Sequence, residues 1–248
     1  MKKLVHFGLR KLGYRIVRIE DVPRPSEGLD PFFRLLKRFG FAPKHILDIG
    51  ANHGLWTREA MRFFPDARYT LVEPQDNLKT HIQDLIDRGC KIQWINAGAS
   101  NRSGTLLFTI TKRDDSCSFA YSEEQARAAG FQQTTVPVKT LNEIAASVGG
   151  DLPDLVKIDA EGLDLKVLAG ASDLLGKTDI FLVEAVLRGG GGYENTVADV
   201  IKFMANAGYR LLDITDLNRS PKHGVLWLCE LAFLKDGSLI FDAASNYE

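Results

Sequence analysis

Cysteine is scarce. Cys90, Cys117 and Cys229 are the only three in 248 residues, far apart and without C-x-x-C spacing, which argues against a disulfide framework or a zinc cluster and fits a reducing, cytoplasmic setting. Neither sign of charge dominates: 31 Lys and Arg stand against 32 Asp and Glu. A net charge of -1 supplies no global field for nucleic acid or an acidic partner, so nucleic acid is not expected among the ligands. No apolar run approaches the roughly 20 residues of a membrane span. The N-terminus lacks the uninterrupted apolar core of a signal peptide, so the sequence predicts a soluble protein. There is no G-x-x-x-x-G-K-[ST] loop, which removes the phosphate cradle of a P-loop nucleotide site, and no internal repeat.

One segment departs from the even charge. In the first nineteen residues Leu4, Val5, Phe7, Leu12, Ile16 and Val17 are interleaved with Lys2, Lys3, Arg10, Lys11, Arg15 and Arg18. A basic amphipathic stretch of this kind suits peripheral contact with the anionic inner face of a membrane. Gly8 and Gly13 weaken its helical reading, and packing on the rest of the protein explains the same pattern. Residues 21–30, with two prolines and a glycine, read as a linker, and Pro31 opens a short helix closed by Gly40. The expected division is 1–40 for arm, linker and short helix, and 41–248 for a single domain.

From residue 41 on, short β-rich runs alternate with helical ones, the pattern of a mostly parallel sheet covered on both faces. Strands are expected at His45–Ile49, Arg68–Glu73, Lys91–Asn96, Leu155–Asp159 and Ile180–Glu184. Helices are expected at Leu55–Phe64, Asn77–Arg88, Leu141–Val148, Leu163–Ala169 and Thr196–Ala207. Thr105–Ile110 and Thr134–Val138 form an inserted strand pair around the polar segment Lys112–Gly130. Tyr209–Ile214 and Trp227–Leu234 have no helix between them and should pair antiparallel. The fold class is therefore α/β: a doubly wound Rossmann-like sheet with an antiparallel C-terminal strand and a small β insertion.

His45-Ile-Leu-Asp-Ile-Gly-Ala-Asn-His-Gly54 is an apolar strand running into a glycine turn that opens a helix. Gly50 and Gly54 let backbone approach a ligand, and the free N–H groups at the helix start offer donors. Glu73 ends the next strand, placed to accept hydrogen bonds from both hydroxyls of a ribose, and Pro74 turns the chain away. Together they indicate an adenosine-bearing cofactor. The loop is not G-x-G-x-x-G, so it lacks the tight pyrophosphate turn of a nicotinamide site, and a sulfonium cofactor without phosphates fits better. Asp48 beside the loop can compensate a nearby positive charge.

These residues, with Val72-Glu-Pro74, Asn96-Ala-Gly-Ala-Ser100 and Val156-Lys-Ile-Asp-Ala-Glu-Gly162, resemble the FkbM family of methyltransferases from about Lys44 to Glu184. The resemblance implies a class I methyltransferase domain over 41–248, S-adenosylmethionine as cofactor, and methylation of a hydroxyl on a sugar or other natural product, as in polysaccharide biosynthesis. It places Asp48, Gly50, Asn52 and Gly54 around the methionine part of the cofactor, Glu73 on the ribose, and Asn96 and Ala97 near the adenine, with Ala51 and Pro74 also counted among the cofactor-binding residues. Ser116 is a further expected cofactor contact, since it falls where similar proteins have a serine-rich segment, although Cys117 interrupts it here.

Asp159, Glu161 and Glu184 should gather on the ligand-binding edge of the sheet, where buried acids are costly unless they serve a purpose. Methyl transfer to oxygen needs a base to take the hydroxyl proton, and Asp159 or Glu161 is the candidate, with Asp159 also bordering the cofactor. No metal is assigned; the same two carboxylates are the alternative site for a divalent ion. His53, inside the cofactor turn, is expected to orient the acceptor, and Arg188 with Gly189–Gly192 to form a loop after the fifth strand. The expected activity is O-methylation of a glycan or small hydroxylated metabolite. The rivals are an N-methyltransferase, a nicotinamide-dependent oxidoreductase and a binding module that has lost its chemistry.

Overall fold

A computed structural model describes residues 28–189, 195–220 and 222–244. The amphipathic arm, most of the linker, Gly190–Gly192 and Pro221 lie outside the described residues.

In chain order the elements are α1 (Leu29–Arg38), β1 (His45–Ile49), α2 (Leu55–Phe63), β2 (Arg68–Val72), a 3-10 helix (Asp76–Ile82) running into α3 (Gln83–Asp87), β3 (Ile92–Ile95), β4 (Gly98–Ala99), β5 (Gly104–Ile110), a 3-10 turn (Asp114–Ser116), α4 (Glu123–Ala129), β6 (Gln132–Lys139), α5 (Leu141–Ser147), β7 (Leu155–Ile158), α6 (Asp164–Ala169), β8 (Ile180–Val186), α7 (Val197–Asn206), β9 (Tyr209–Arg219), β10 (Leu226–Lys235) and α8 (Leu239–Ala244). The main sheet has the order β3-β2-β1-β7-β8-β10-β9. It is parallel except for β10, which runs antiparallel to both β8 and β9. The inserted strands form a second sheet, β4-β6-β5. The strand pair expected there is present, joined by the two-residue β4 parallel to β6.

Alternation along each central strand supplies both faces of the core. Leu47, Ile49, Val156, Ile158, Phe181 and Val183 face α5, α6 and α7, while Ile46, Tyr69, Leu71, Leu155 and Leu182 face α1 and α2. Each such side chain contributes about 1.5–3 kcal/mol by leaving water. The short helix α1 is built into this second face: Phe32, Phe33 and Leu36 are fully buried, and Phe33 packs on Trp56, Phe63 and Phe64 with ring centroids 5.5–5.8 Å apart. His45, at the start of β1, bonds Thr70 Oγ1 at 3.0 Å, and burial beside Arg68 lowers its pKa to about 4, so it is a neutral core residue.

The chain departs from the expected elements where local bonds compete with the pattern. The helix expected over Asn77–Arg88 starts as a 3-10 turn, with the Thr80 hydroxyl donating back to the Asn77 carbonyl at 2.8 Å. α4 lies in what reads as a polar loop, because Ala126 is its one buried residue and no apolar stripe marks it. Its signal is the capping box Ser122–Gln125 and a left-handed Gly130. No helix among the described residues is long and apolar enough to cross a membrane.

Candidate cofactor and active site

The loop after β1 carries three left-handed residues in five: Gly50 (φ 76°), Asn52 (φ 45°) and Gly54 (φ 71°). Gly50 has no room for a side chain, since a Cβ there would lie 1.8 Å from the Asp159 carbonyl oxygen. A Cβ on Gly54 would meet Ile82 Cγ2 at 2.5 Å. Gly50 N–H and Ala51 N–H both donate to Val72 O, at 2.9 and 3.2 Å, which draws the loop across the end of β2.

That contact brings Glu73 under the loop. Its side chain is buried and accepts two backbone bonds of 2.9 Å, from Asn52 N–H on Oε2 and from Gln75 N–H on Oε1. Burial raises its pKa, and the two backbone donors oppose the rise. A carboxylate offers about four lone-pair sites, so each oxygen keeps one for a ligand. Gly50, Ala51, Asn52, Glu73 and Pro74 all line one cavity of about 250 Å³. Its apolar lining is Ala97, Ala99, Phe108, Cys117 and Phe119. The residues thus fit an adenosyl group, with a hydroxyl-accepting acid between a close-approach loop and an apolar slot.

The remaining expected residues divide clearly. Asp159, Glu161 and His53 line the same cavity. Asp48 lies beneath it, fully buried, accepting from Thr57 Oγ1 at 2.5 Å and standing 3.5 Å from Lys157 Nζ. Asn96 works from outside, donating to the carbonyls of Glu73 and Pro74 at 3.2 and 3.0 Å, so it braces the corner at Glu73. Gly54 flanks the cavity as the residue preceding α2, and Ser116 belongs to the 3-10 turn at its mouth; neither lines it. Glu184 is one strand away, its pKa raised by burial and then by Asp159, Asp164 and Glu161. Glu161 holds a left-handed backbone (φ 49°), and its carbonyl accepts from Ser118 Oγ at 2.8 Å, tying the acidic turn to the inserted sheet. Arg188 and Gly189 are exposed.

Four further residues shape the site without having been singled out in the sequence. Lys157, almost fully buried, places Nζ 3.1 Å from Asp159 Oδ2 and 3.1 Å from the Gly50 carbonyl. Burial alone would lower its pKa, but Asp159, Asp48 and Glu230 outweigh it and keep the ammonium charged. Asp164 accepts from Ala160 N–H at 2.8 Å, Gly162 N–H at 3.3 Å and Asn195 Nδ2 at 2.8 Å, which shapes the turn carrying Asp159 and Glu161. Asp114 and Gln75 close the mouth. The Asp114 carbonyl accepts from Asn52 Nδ2 and Gln75 Nε2 at 3.2 and 3.1 Å, and its carboxylate pairs with His53 Nε2 at 2.8 Å while His53 stacks on His81. Among the described residues no group of three or more His, Cys, Asp or Glu is placed to hold a metal ion.

The Methyltransferase FkbM domain family matches residues 48–211, which span the loop, Glu73, the inserted sheet and the acidic turn. A 2-O-methyltransferase, NoeI, from Sinorhizobium fredii (strain NBRC 101917 / NGR234) is 20% identical over 176 residues, covering 66% of this chain and 72% of its own. The crystal structure of methyltransferase FkbM from Methylobacillus flagellatus KT superposes with a TM-score of 0.50 at 14% identity, covering 76% of this chain. This chain spans 43% of that protein's length, and the likeness is one of fold.

Proposed function

The chain belongs to the FkbM methyltransferase family, and from that premise we propose that it transfers a methyl group from S-adenosylmethionine to a hydroxyl of a glycan or small hydroxylated metabolite. The observation that carries the cofactor is the single cavity joining the Gly50 loop, the two-oxygen cradle of Glu73 and the apolar slot at Ala97. S-adenosylmethionine, when bound, supplies a methyl group already activated on a sulfonium. The protein's own task is to orient the acceptor and take its proton.

Asp159 suits that task. Lys157 holds its Oδ2, so the carboxylate is oriented with Oδ1 left to accept from an acceptor hydroxyl. Glu161, two residues on and lining the same cavity, supplies a second acceptor for a polyhydroxylated ligand. His53, fixed by Asp114, borders the mouth and orients what enters. The choice of oxygen over nitrogen rests on the name of the curated relative, a 2-O-methyltransferase. Because the Lys157 ammonium already occupies Asp159 Oδ2, turnover is expected to need no divalent ion and to persist in excess chelator. Loss of turnover in chelator with recovery on added magnesium would move Asp159 and Glu161 to a metal role.

The test is a panel of cell extracts fractionated by polarity, incubated with the full chain and methyl-labelled S-adenosylmethionine. Label in polar saccharide or small-molecule fractions, stable to the conditions that cleave methyl esters, supports the reading. Label confined to protein or nucleic-acid fractions overturns the acceptor class, and failure to bind S-adenosylhomocysteine overturns the cofactor.

A further inference from the structure

Lys157 is an unusual residue to find inside a parallel strand, where a charged side chain is expensive unless every donor has a partner. Its ammonium meets three acceptors from two strand ends: the Gly50 carbonyl and Asp159 Oδ2, each at 3.1 Å, and Asp48 Oδ1 at 3.5 Å. Asp48 Oδ1 is buried and has no hydrogen-bond partner among the described residues, so this ion pair is what meets its charge. Lys157, Gly50 and Asp159 also line the cavity.

We propose that Lys157 is a positioning residue that sets both the spacing and the charge of the cofactor's sulfur end. Resting on the S-adenosylmethionine reading above, the inference concerns how this chain tells a sulfonium from the neutral thioether that remains after transfer. One ammonium set against two carboxylates leaves a single uncompensated negative charge in the Asp48–Lys157–Asp159 triad. That charge matches one sulfonium and has no match in a thioether. The same ammonium holds Asp159 against the Gly50 loop, so the acceptor-facing carboxylate and the cofactor loop keep one separation. Glu184, Glu230 and Asp164 add their own field nearby, which also favours the sulfonium, but it is common to every variant of the triad and drops out when the ratio of the two ligands is compared between variants.

The proposal is tested by calorimetric titration of the full chain with S-adenosylmethionine and, separately, with S-adenosylhomocysteine, reading the ratio of the second dissociation constant to the first. Lys157→Met leaves two negative charges and should raise the ratio about 10-fold; Asp48→Asn leaves none and should lower it by about 10-fold, the scale of one charge acting across a few ångströms of protein. Combining the two restores one charge, and the ratio should return to within about 3-fold of the wild type. A residue that merely props up the fold would weaken both ligands together and leave the ratio flat. Where Lys157→Met alone does not fold, the double variant against Asp48→Asn reads the same charge step. A ratio that stays flat across Asp48→Asn and the double variant, with the wild type binding both ligands, overturns this inference alone. A wild type that binds neither ligand overturns the cofactor reading and this inference with it.

Discussion

The carbonyl oxygen of Asp159 occupies the space that a side chain on Gly50 would need, with 1.8 Å between it and a Cβ built there. The loop after β1 and the turn carrying Asp159 are thus in backbone contact, and their spacing is set by the absence of one methyl group. Gly40 is a natural control, because its φ of 79° is nearly that of Gly50 (76°) while nothing lies within 4 Å of its Cβ position. Gly40→Ala should cost about 1 kcal/mol, the left-handed penalty alone. Gly50→Ala should cost about 3 kcal/mol or more and abolish S-adenosylhomocysteine binding, since two loops must separate. Urea denaturation of both variants measures the difference; equal costs would show that the contact does not govern the loop.

The parts of this site that are legible in the sequence are those tied to strand ends. Gly50, Glu73 and Asp159 each follow an apolar run that can only be a buried strand, so their positions on one edge follow from the alternation of elements. Lys157 is illegible for the converse reason. It sits inside such a run, where nothing local says whether its ammonium turns to water or inward, and its partners Asp48 and Gly50 are more than a hundred residues away. Asp114 is hidden in the same way, in a polar stretch whose folding over the mouth depends on tertiary bonds to Asn52, His53 and Gln75.

Glu73→Gln tests the ribose assignment. The glutamate accepts one backbone N–H on each oxygen, so an amide must turn its NH2 group against either Asn52 or Gln75. S-adenosylhomocysteine affinity should fall about 10- to 100-fold, the worth of charged hydrogen bonds. Because burial raises the wild-type carboxyl, its affinity should also decline in mild acid, at a pH above the ordinary glutamate range, and the variant should lack that decline. Affinity within about 3-fold of wild type would remove Glu73 from the ribose.

Asp114→Ala tests the closure of the mouth. Its pair with His53 is partly exposed, at 48% and 30% for the two side chains, so it contributes up to about 1 kcal/mol and, while the imidazole is protonated, weakens with salt. The Asp114 carbonyl keeps its bonds to Asn52 and Gln75 in the variant. S-adenosylhomocysteine should therefore dissociate only about 2- to 5-fold faster at low salt, and at the wild-type rate in about 1 M salt. Trp56 lines the cavity and provides a fluorescence signal for stopped-flow measurement. A faster rate that ignores salt would argue that the turn moves for another reason.

The pH dependence of stability has a sign that one carboxyl isolates. Burial pushes Glu230 up to about 7, against the hydrogen bond from Thr215 Oγ1 at 2.5 Å and the charge of Lys157. An unfolded glutamate titrates near 4.3, so between about 4 and 7 the folded chain holds a proton that the unfolded chain has released. Folding then takes up a proton, and stability falls as pH rises through that window, with the full penalty present above about 7. Glu230→Gln has no such proton to lose. Its amide oxygen can still accept from Thr215. The stability of Glu230→Gln relative to wild type should improve by about 3 kcal/mol between pH 4.5 and pH 8. Asp164, also pushed up to about 7 by burial, and His45, lowered to about 4, titrate in both proteins and cancel in the difference. Urea denaturation of the pair across that range reads the difference directly. Parallel curves would mean that the Glu230 carboxyl is as well solvated in the folded chain as in the unfolded one.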